Sequence, residues 1–288
     1  MTPPADDGRD RVDPAAAFGA LSDPLRVDIL RELAAHRREG DPGGDPIGFA
    51  DLRRRVGVQD SGRFRYHLNE LRDHFVEKTE GGYRLTHAGT AVVAAVLAGT
   101  LTDESTTGRA ELDSNCFECG GPAVAAVEEG VCAVSCPDGH RLFQWPVPPN
   151  VTADASVPET VDRAELLATQ AIERALAGIC PTCYDPVEPE VRVEEGDPRL
   201  RAVCDTCGGP LHGPAGFCLL VDPEVAAFYR EHGRRLRDSH VWEHSFVRDE
   251  AVTVEATDPV RVALEVTLDG DRMRATLDGT GTVVGTDR

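Results

Sequence analysis

The chain has 288 residues, 41% of them hydrophobic, which suggests two domains with cores of their own. It carries 30 basic and 50 acidic side chains, a net charge of −20, and Lys78 is its only lysine; this acid-rich, arginine-for-lysine balance looks like a salt-adapted proteome such as that of a halophilic archaeon, where an acidic surface says little about partners. No run approaches the roughly 18 apolar residues of a membrane span and Met1 to Pro14 lacks the apolar core of a signal peptide, so a cytoplasmic protein without membrane contact is expected, its nine cysteines metal ligands rather than disulfides.

Residues 1–13 read as a disordered acidic tail. A short helix is expected from Pro14 to Leu21, and a second from Pro24 to about His36, capped by Ser22 or Asp23. The second places Leu25, Ile29, Leu30 and Leu33 on one face, with Arg26, Asp28, Arg31 and Glu32 elsewhere. Glu39 to Pro46 is a Gly/Pro/Asp loop. Phe49–Val56 predicts a third helix and Asp60–Phe75 a fourth, with Phe64, Leu68, Leu71 and Phe75 lined up on one side. Val76 to Thr86 predicts a hairpin around Gly81-Gly82. A fifth helix follows from Thr86 to Leu101, with the apolar face Val92, Val93, Val96 and Leu97, and Thr102–Ser114 reads as a polar linker.

This order of elements is that of a winged helix-turn-helix, which needs one helix with an apolar back and a slim polar front for the DNA major groove. Opposite Phe64, Leu68 and Leu71 lie Gly62, Tyr66, Asn69 and Asp73, flanked by Arg63 and Arg65. Arginine reads guanine edges and asparagine adenine edges, while Ser61 at the helix start is placed to donate to a phosphate. Arg53, Arg54 and Arg55, with Lys78 and Arg84 on the hairpin, are further phosphate candidates. Residues 46–86 hold 8 basic and 6 acidic groups against 16 and 32 in residues 107–288, so the least acidic stretch is also the one with the motif.

Ala17-Phe18-Gly19-Ala20-Leu21-Ser22-Asp23-Pro24-Leu25-Arg26-Val27-Asp28-Ile29-Leu30 resembles the opening of arsenic-repressor-type (ArsR-type) transcriptional regulators. Tyr66-His67-Leu68-Asn69-Glu70-Leu71 resembles their helix-four signature, and Gly81 to Gly89 the wing and final helix of the archaeal branch. The resemblance covers about the first hundred residues. It implies a homodimer, packed through the first and fifth helices, on a pseudo-palindromic operator. Metal-sensing members carry cysteines on helix three; here that helix reads Phe49-Ala50-Asp51-Leu52-Arg53, and residues 1–115 contain no cysteine, so a thiolate sensor is not expected there.

Cys180-Pro-Thr-Cys183 and Cys204-Asp-Thr-Cys207, separated by 20 residues, form two knuckles able to close a four-thiolate zinc site. Cys116-Phe-Glu-Cys119 is a third knuckle. Its partner is read as Cys136 with His140, beyond strands at 124–127 and 130–134; Cys132 competes for that role but sits mid-strand, where a thiol is commonly core. Cys218 reads as an apolar-strand thiol. A nucleic-acid deaminase would need His-x-Glu and Pro-Cys-x-x-Cys, and this chain has neither. No phosphate-binding loop or nucleophile elbow is present, so two structural zinc ions and no enzymatic activity are expected.

Further helices are expected at about Pro158–Gly178 and Pro223–Arg237, the latter carrying the basic cluster Arg230, Arg234, Arg235 and Arg237. Phe228 and Tyr229 are expected to pack against terminal strands over Val252–Val284, which turn at Asp269-Gly270 and Asp278-Gly279. From Cys116 to about Val284 the pattern resembles the zinc-ribbon region accompanying such helix-turn-helix domains in halophilic archaea. The fold class expected is α+β: a winged helix-turn-helix over 14–106, then a zinc-ribbon-containing, terminally β-rich domain over 107–288. The function expected is a DNA-binding regulator, a homodimer on double-stranded DNA, with the second half stabilising the dimer or taking a small-molecule or protein effector. A protein-interaction module without operator binding is the alternative.

Overall fold

Asp13 caps the first helix, α1 (Pro14–Leu21), by accepting from the Ala15 amide at 3.0 Å, and Asp23 does the same for α2 (Pro24–Glu39) through Leu25 at 2.9 Å. The computed structural model describes residues 13–39, 46–72, 74–101 and 106–288, so the expected tail before Asp13, most of the loop before Pro46, Asp73 and the start of the linker lie outside the described residues. The chain divides into two compact units, Met1–Asp103 and Glu104–Arg288, in a mixed α+β architecture with several small sheets. No described helix is long and apolar enough to cross a membrane.

In the first unit α2 runs one turn beyond His36; His36, Arg37 and Arg38 in that turn complement the negative end of the helix dipole. Then come α3 (Phe49–Val56), closed by the left-handed Gly57, and α4 (Ser61–Arg72). A hairpin of β1 (Val76–Thr79) and β2 (Gly82–Leu85) leads to α5 (His87–Leu97), capped by Thr86. The fourth helix is shorter than its periodicity suggests: Asp60 is its cap, and Phe75, buried as expected, lies beyond its end. The fifth stops at Leu97 rather than Leu101, where Gly99 turns left-handed. Ile29, Leu30, Leu52, Phe64, Leu68, Leu71 and Val76 are all at most 1% exposed and form one core.

Arg26 does not face solvent. It is buried, its guanidinium donating to the Gly19 carbonyl at 3.2 Å and to His67 Nδ1 at 3.4 Å, and lying 3.7 Å from Glu70. This network ties α1, α2 and α4 together.

The second unit begins with an antiparallel sheet in the order β3 (Gly108–Asn115), β4 (Pro122–Glu128), β5 (Val131–Ser135) and β6 (Arg141–Pro146). The expected linker is thus largely a strand. Its inward positions are Leu112 and a polar Ser114, whose hydroxyl accepts from Trp242 Nε1 at 3.0 Å and donates to Glu243 at 2.7 Å; only one apolar residue signals burial. After the short α6 (Pro149–Thr152), α7 (Val157–Leu176) opens on a Ser156/Glu159 capping box and packs Val161, Ala164, Ala168 and Ile172 into the core. A three-stranded sheet follows: β7 (Glu190–Glu194), β8 (Asp197–Val203) and β9 (Pro210–Pro214).

Cys218 lies on a 3-10 turn, Ala215–Val221, not on a strand, and its buried thiol is pushed up to about 12 by desolvation. The helix α8 (Pro223–Glu231) ends six residues before Arg237, because the left-handed Gly233 breaks it. Phe228 and Tyr229 on it are buried. The last sheet is the meander β10 (Val252–Thr257), β11 (Val260–Leu268), β12 (Asp271–Asp278) and β13 (Val283–Asp287). Asp269 and Gly270 both take positive φ, as a two-residue hairpin requires. The second turn is wider than Asp278-Gly279: the Asp278 carboxylate accepts from the Thr280 and Thr282 amides, and the positive φ falls on Gly281.

Trp242 is fully buried and Trp145 packs partly buried against the same core. His244, 3% exposed, is hydrogen-bonded through Nδ1 to the Tyr229 hydroxyl at 2.9 Å. Burial holds it neutral and pushes its pKa from 6.5 down to about 4. A base depressed on folding stabilises the folded state above its unfolded pKa, so its contribution of about 3 kcal/mol is lost as pH falls from about 6.5 to about 4. Urea unfolding at about pH 7 and about pH 4.5 should therefore show a smaller acid penalty for His244→Gln than for the unaltered chain; equal penalties would remove His244 from the account.

Candidate metal centres and basic helix face

The second unit brings eight of the chain's side chains into two clusters. Cys116, Cys119, Cys136 and His140 form one, and Cys180, Cys183, Cys204 and Cys207 the other; in each, the ligand atoms lie within 4.8 Å of one another. Short backbone turns build the knuckles. The Cys116 carbonyl accepts from Gly120 N at 2.9 Å and the Cys204 carbonyl from Gly208 N at 2.8 Å, both glycines having positive φ. In the Cys180 knuckle Tyr184 takes the same turn position at φ 65°, beneath the Arg174 guanidinium.

A tetrahedron with Zn–S bonds of about 2.3 Å has sulfur edges of about 3.8 Å. The observed separations are 3.7 Å for Cys180–Cys207, 3.6 Å for Cys183–Cys204 and 3.6 Å for Cys119–Cys136. His140 offers Nδ1, 3.3 Å from Cys136 Sγ and 3.6 Å from Cys116 Sγ. All the cysteines are free, so none of these spacings is a disulfide. Backbone N–H groups of Cys183 and Thr182 lower Cys180 to about 6 against the cost of burial. Burial opposes ionisation of Cys136, but N–H groups of His140 and Asp138 help bring it to about 7. The donor sets fit two structural metal ions. Cys132, fully buried on β5, stands outside the first cluster, with its thiol raised to about 11 by burial.

Asp162, Glu165 and His240 also lie together. Glu165 spends both carboxylate oxygens inside the protein, accepting from His240 Nδ1 at 2.9 Å and from Val241 N at 2.8 Å. Hydrogen bonding accounts for this group without an ion.

In the first unit the polar face of α4 is open: Ser61, Gly62, Arg63, Arg65, Tyr66 and Asn69 are exposed, while Phe64, His67, Leu68 and Leu71 are buried behind them. Arg65 lies over the Phe49 ring and Arg26 supports Tyr66 from below. Ser61 is not the helix cap. The Asp60 carboxylate accepts from Gly62 N at 2.7 Å and Arg63 N at 3.1 Å, and these bonds hold its pKa low. It takes up the amides that a phosphate at the helix start would use.

The outer basic residues divide. Arg53 donates to the Val58 and Gln59 carbonyls, and Arg55 pairs with Glu32 and Glu39, so both are engaged within the unit. Arg54 pairs with Asp51 at 2.8 Å and Arg84 with Glu77 at 2.6 Å, on the surface. Lys78 is exposed on β1. One contact has no clear sequence signal: Ile47 bridges to Tyr83, with N–H···O distances of 3.0 and 2.9 Å each way, adding a third chain segment to the hairpin.

Fold and clusters define an α+β protein with two four-ligand cysteine-based centres in its second unit. The chain belongs to the family described as domain of unknown function DUF7351, whose model matches residues 113–283; a second model, domain of unknown function DUF7347, matches residues 14–96. No curated protein and no solved structure matches it.

Proposed function

We propose that the protein is a sequence-specific, DNA-binding transcriptional regulator of the cytoplasm, a homodimer whose first unit is a winged helix-turn-helix and whose second is held by two structural zinc ions, with no enzymatic activity. The observation that carries this is the open polar face of α4, backed by a rigid apolar core and followed by a β-hairpin. Arg63, Arg65, Tyr66 and Asn69 are the base readers, and Lys78, with Arg54 and Arg84 once released from their surface carboxylates, contacts phosphate. Surface ion pairs are weak, at about 0–1 kcal/mol, so that release costs little. The resemblance to ArsR-type regulators supports the same reading. Exposed Phe18 on α1 and Leu97 at the end of α5, 75% and 44% accessible, suit a dimer packed through those helices. Closed thiolate-rich sets favour zinc in a structural role.

The alternative, a protein-interaction module, draws on one observation: Asp60 occupies the helix start and acidic partners hold Arg54 and Arg84.

At molar salt the Debye length is about 3 Å, so long-range attraction contributes little and direct contacts must carry the affinity. Zinc-loaded protein incubated with a genomic fragment library in molar potassium chloride is expected to enrich an inverted-repeat motif. Arg63→Ala with Arg65→Ala should weaken binding to that motif by about 100-fold, each guanine contact contributing about 1–3 kcal/mol, while the melting curve stays in place. No enrichment from folded protein would favour the interaction module.

A further inference from the structure

A groove of about 900 Å³ lies in the second unit between α7 and α8. Its apolar lining includes Leu220 and Val221 from the 3-10 turn, then Leu236 and Val241. Leu166 of α7 and Ala226 of α8 face it from either side. Arg230, Arg235 and Arg237 line the α8 side.

Those arginines are unusual in their setting. Residues 107–288 hold 16 basic against 32 acidic groups, yet four of the 16 fall within residues 230–237. Arg234 turns to Asp269 at 2.7 Å. The other three line the groove, and among the described residues none of their guanidinium groups has a carboxylate within 4.0 Å, although the Arg235 amide donates to Asp238 at 2.8 Å. Three carboxylates also line the groove, Asp162, Glu165 and Glu173, all from α7, and Glu165 is held by His240 and the Val241 amide. Guanidinium groups beside apolar side chains match a ligand with one anionic head and an apolar body, because the planar fork pairs with carboxylate or a similar oxyanion. The volume lies within the range of about 300–1,000 Å³ usual for small-molecule sites.

We propose that this groove binds a small amphipathic organic anion, its head on Arg230, Arg235 and Arg237 and its body on Leu220, Leu236 and Val241. The site stands whether or not the first unit binds DNA; combined with that reading, it is where an effector acts.

The test titrates the full, metal-loaded chain with anilinonaphthalene sulfonate, an apolar aromatic body bearing one anionic group, in molar potassium chloride, and reads fluorescence. Saturable binding of one dye per chain is expected. Arg230→Gln with Arg237→Gln should weaken it about tenfold or more, since each removes a charge-assisted contact to the anionic head. Ala226→Trp, which fills the groove without touching its charges, should abolish it, and Arg192→Gln on β7 should leave it unchanged. Binding that does not saturate overturns the proposal, as does unchanged affinity in both groove variants with their near-ultraviolet dichroism and melting curves intact. Neither result depends on DNA, so this site and the regulator reading fail separately.

Discussion

Cys204→Ser is expected to release one of two bound metal ions per chain and to lower the melting temperature of the second unit by about 10–20 °C. The magnitude follows from the site. Structural zinc contributes about 10–16 kcal/mol in small domains that fold only around it. Here Leu200, Ala202 and Leu211 also bury β8 and β9 in a large shared core, so only part of that figure is at stake. A third of it, about 4–5 kcal/mol, at about 2–4 °C per kcal/mol gives the expected drop. Cys204 is buried, its carbonyl closes the knuckle with Gly208, and its sulfur lies 3.6 Å from that of Cys183, so a serine there removes a thiolate the other three cannot replace. Native mass spectrometry counts the ions and calorimetry reads the melt. Cys218→Ala is the control: buried on the 3-10 turn, away from both clusters, it should keep both ions. A metal count unchanged by Cys204→Ser would mean that the four thiolates are not a site.

The second large effect is expected at Gly82, at about 3 kcal/mol or more for a single methyl group. Its φ is 139°, which side-chain-bearing residues rarely adopt, and a Cβ there would sit 2.2 Å from the Ile47 carbonyl oxygen. That oxygen accepts from Tyr83 N, so the hairpin cannot move away without breaking the bridge that anchors it. Gly82→Ala should therefore lower the first unit's melting temperature by more than about 10 °C, small domains shifting about 4–8 °C per kcal/mol. Gly19→Ala on α1 is its counterpart. A Cβ there meets nothing within 4 Å, and helix propensity gives a gain of about 1 kcal/mol. Equal melting points for the two variants would remove the close approach from the argument.

Both predictions involve features of different legibility. The knuckles could be read directly, because Cys-x-x-Cys spacing is local and the ligand type fixes the geometry; even the preference for Cys136 over Cys132 rested on a local feature, the mid-strand place of Cys132. Helix α3 could be placed to the residue, since Gly48 and Gly57 flank it. What escaped was set by distant partners. Ile47 carries no strand signal until Tyr83 lies beside it. Most of β3 falls in the stretch Thr102–Ser114 that reads as a linker, because Ser114, facing inward, is satisfied by side chains more than a hundred residues away. Arg26 reads only as lying off the apolar face of its helix, because the partners that bury it, His67 and Glu70, come from another helix. The groove, assembled from α7, the 3-10 turn and the segment after α8, has no sequence motif at all.

The Ser114–Trp242 bond spans 128 positions of sequence. During synthesis the first unit has all its core residues once Val93 has emerged, and can fold while the ribosome is still working. The sheet from β3 to β6 is made early too, but its inward hydroxyl waits for an indole made much later. Until then β3 presents a polar group to a half-formed interior, and the second unit is expected to close only after that distant partner has been made. A chain halted before Trp242 would display a finished first unit on an unfinished second one, so the two halves are expected to differ in their demand for chaperones.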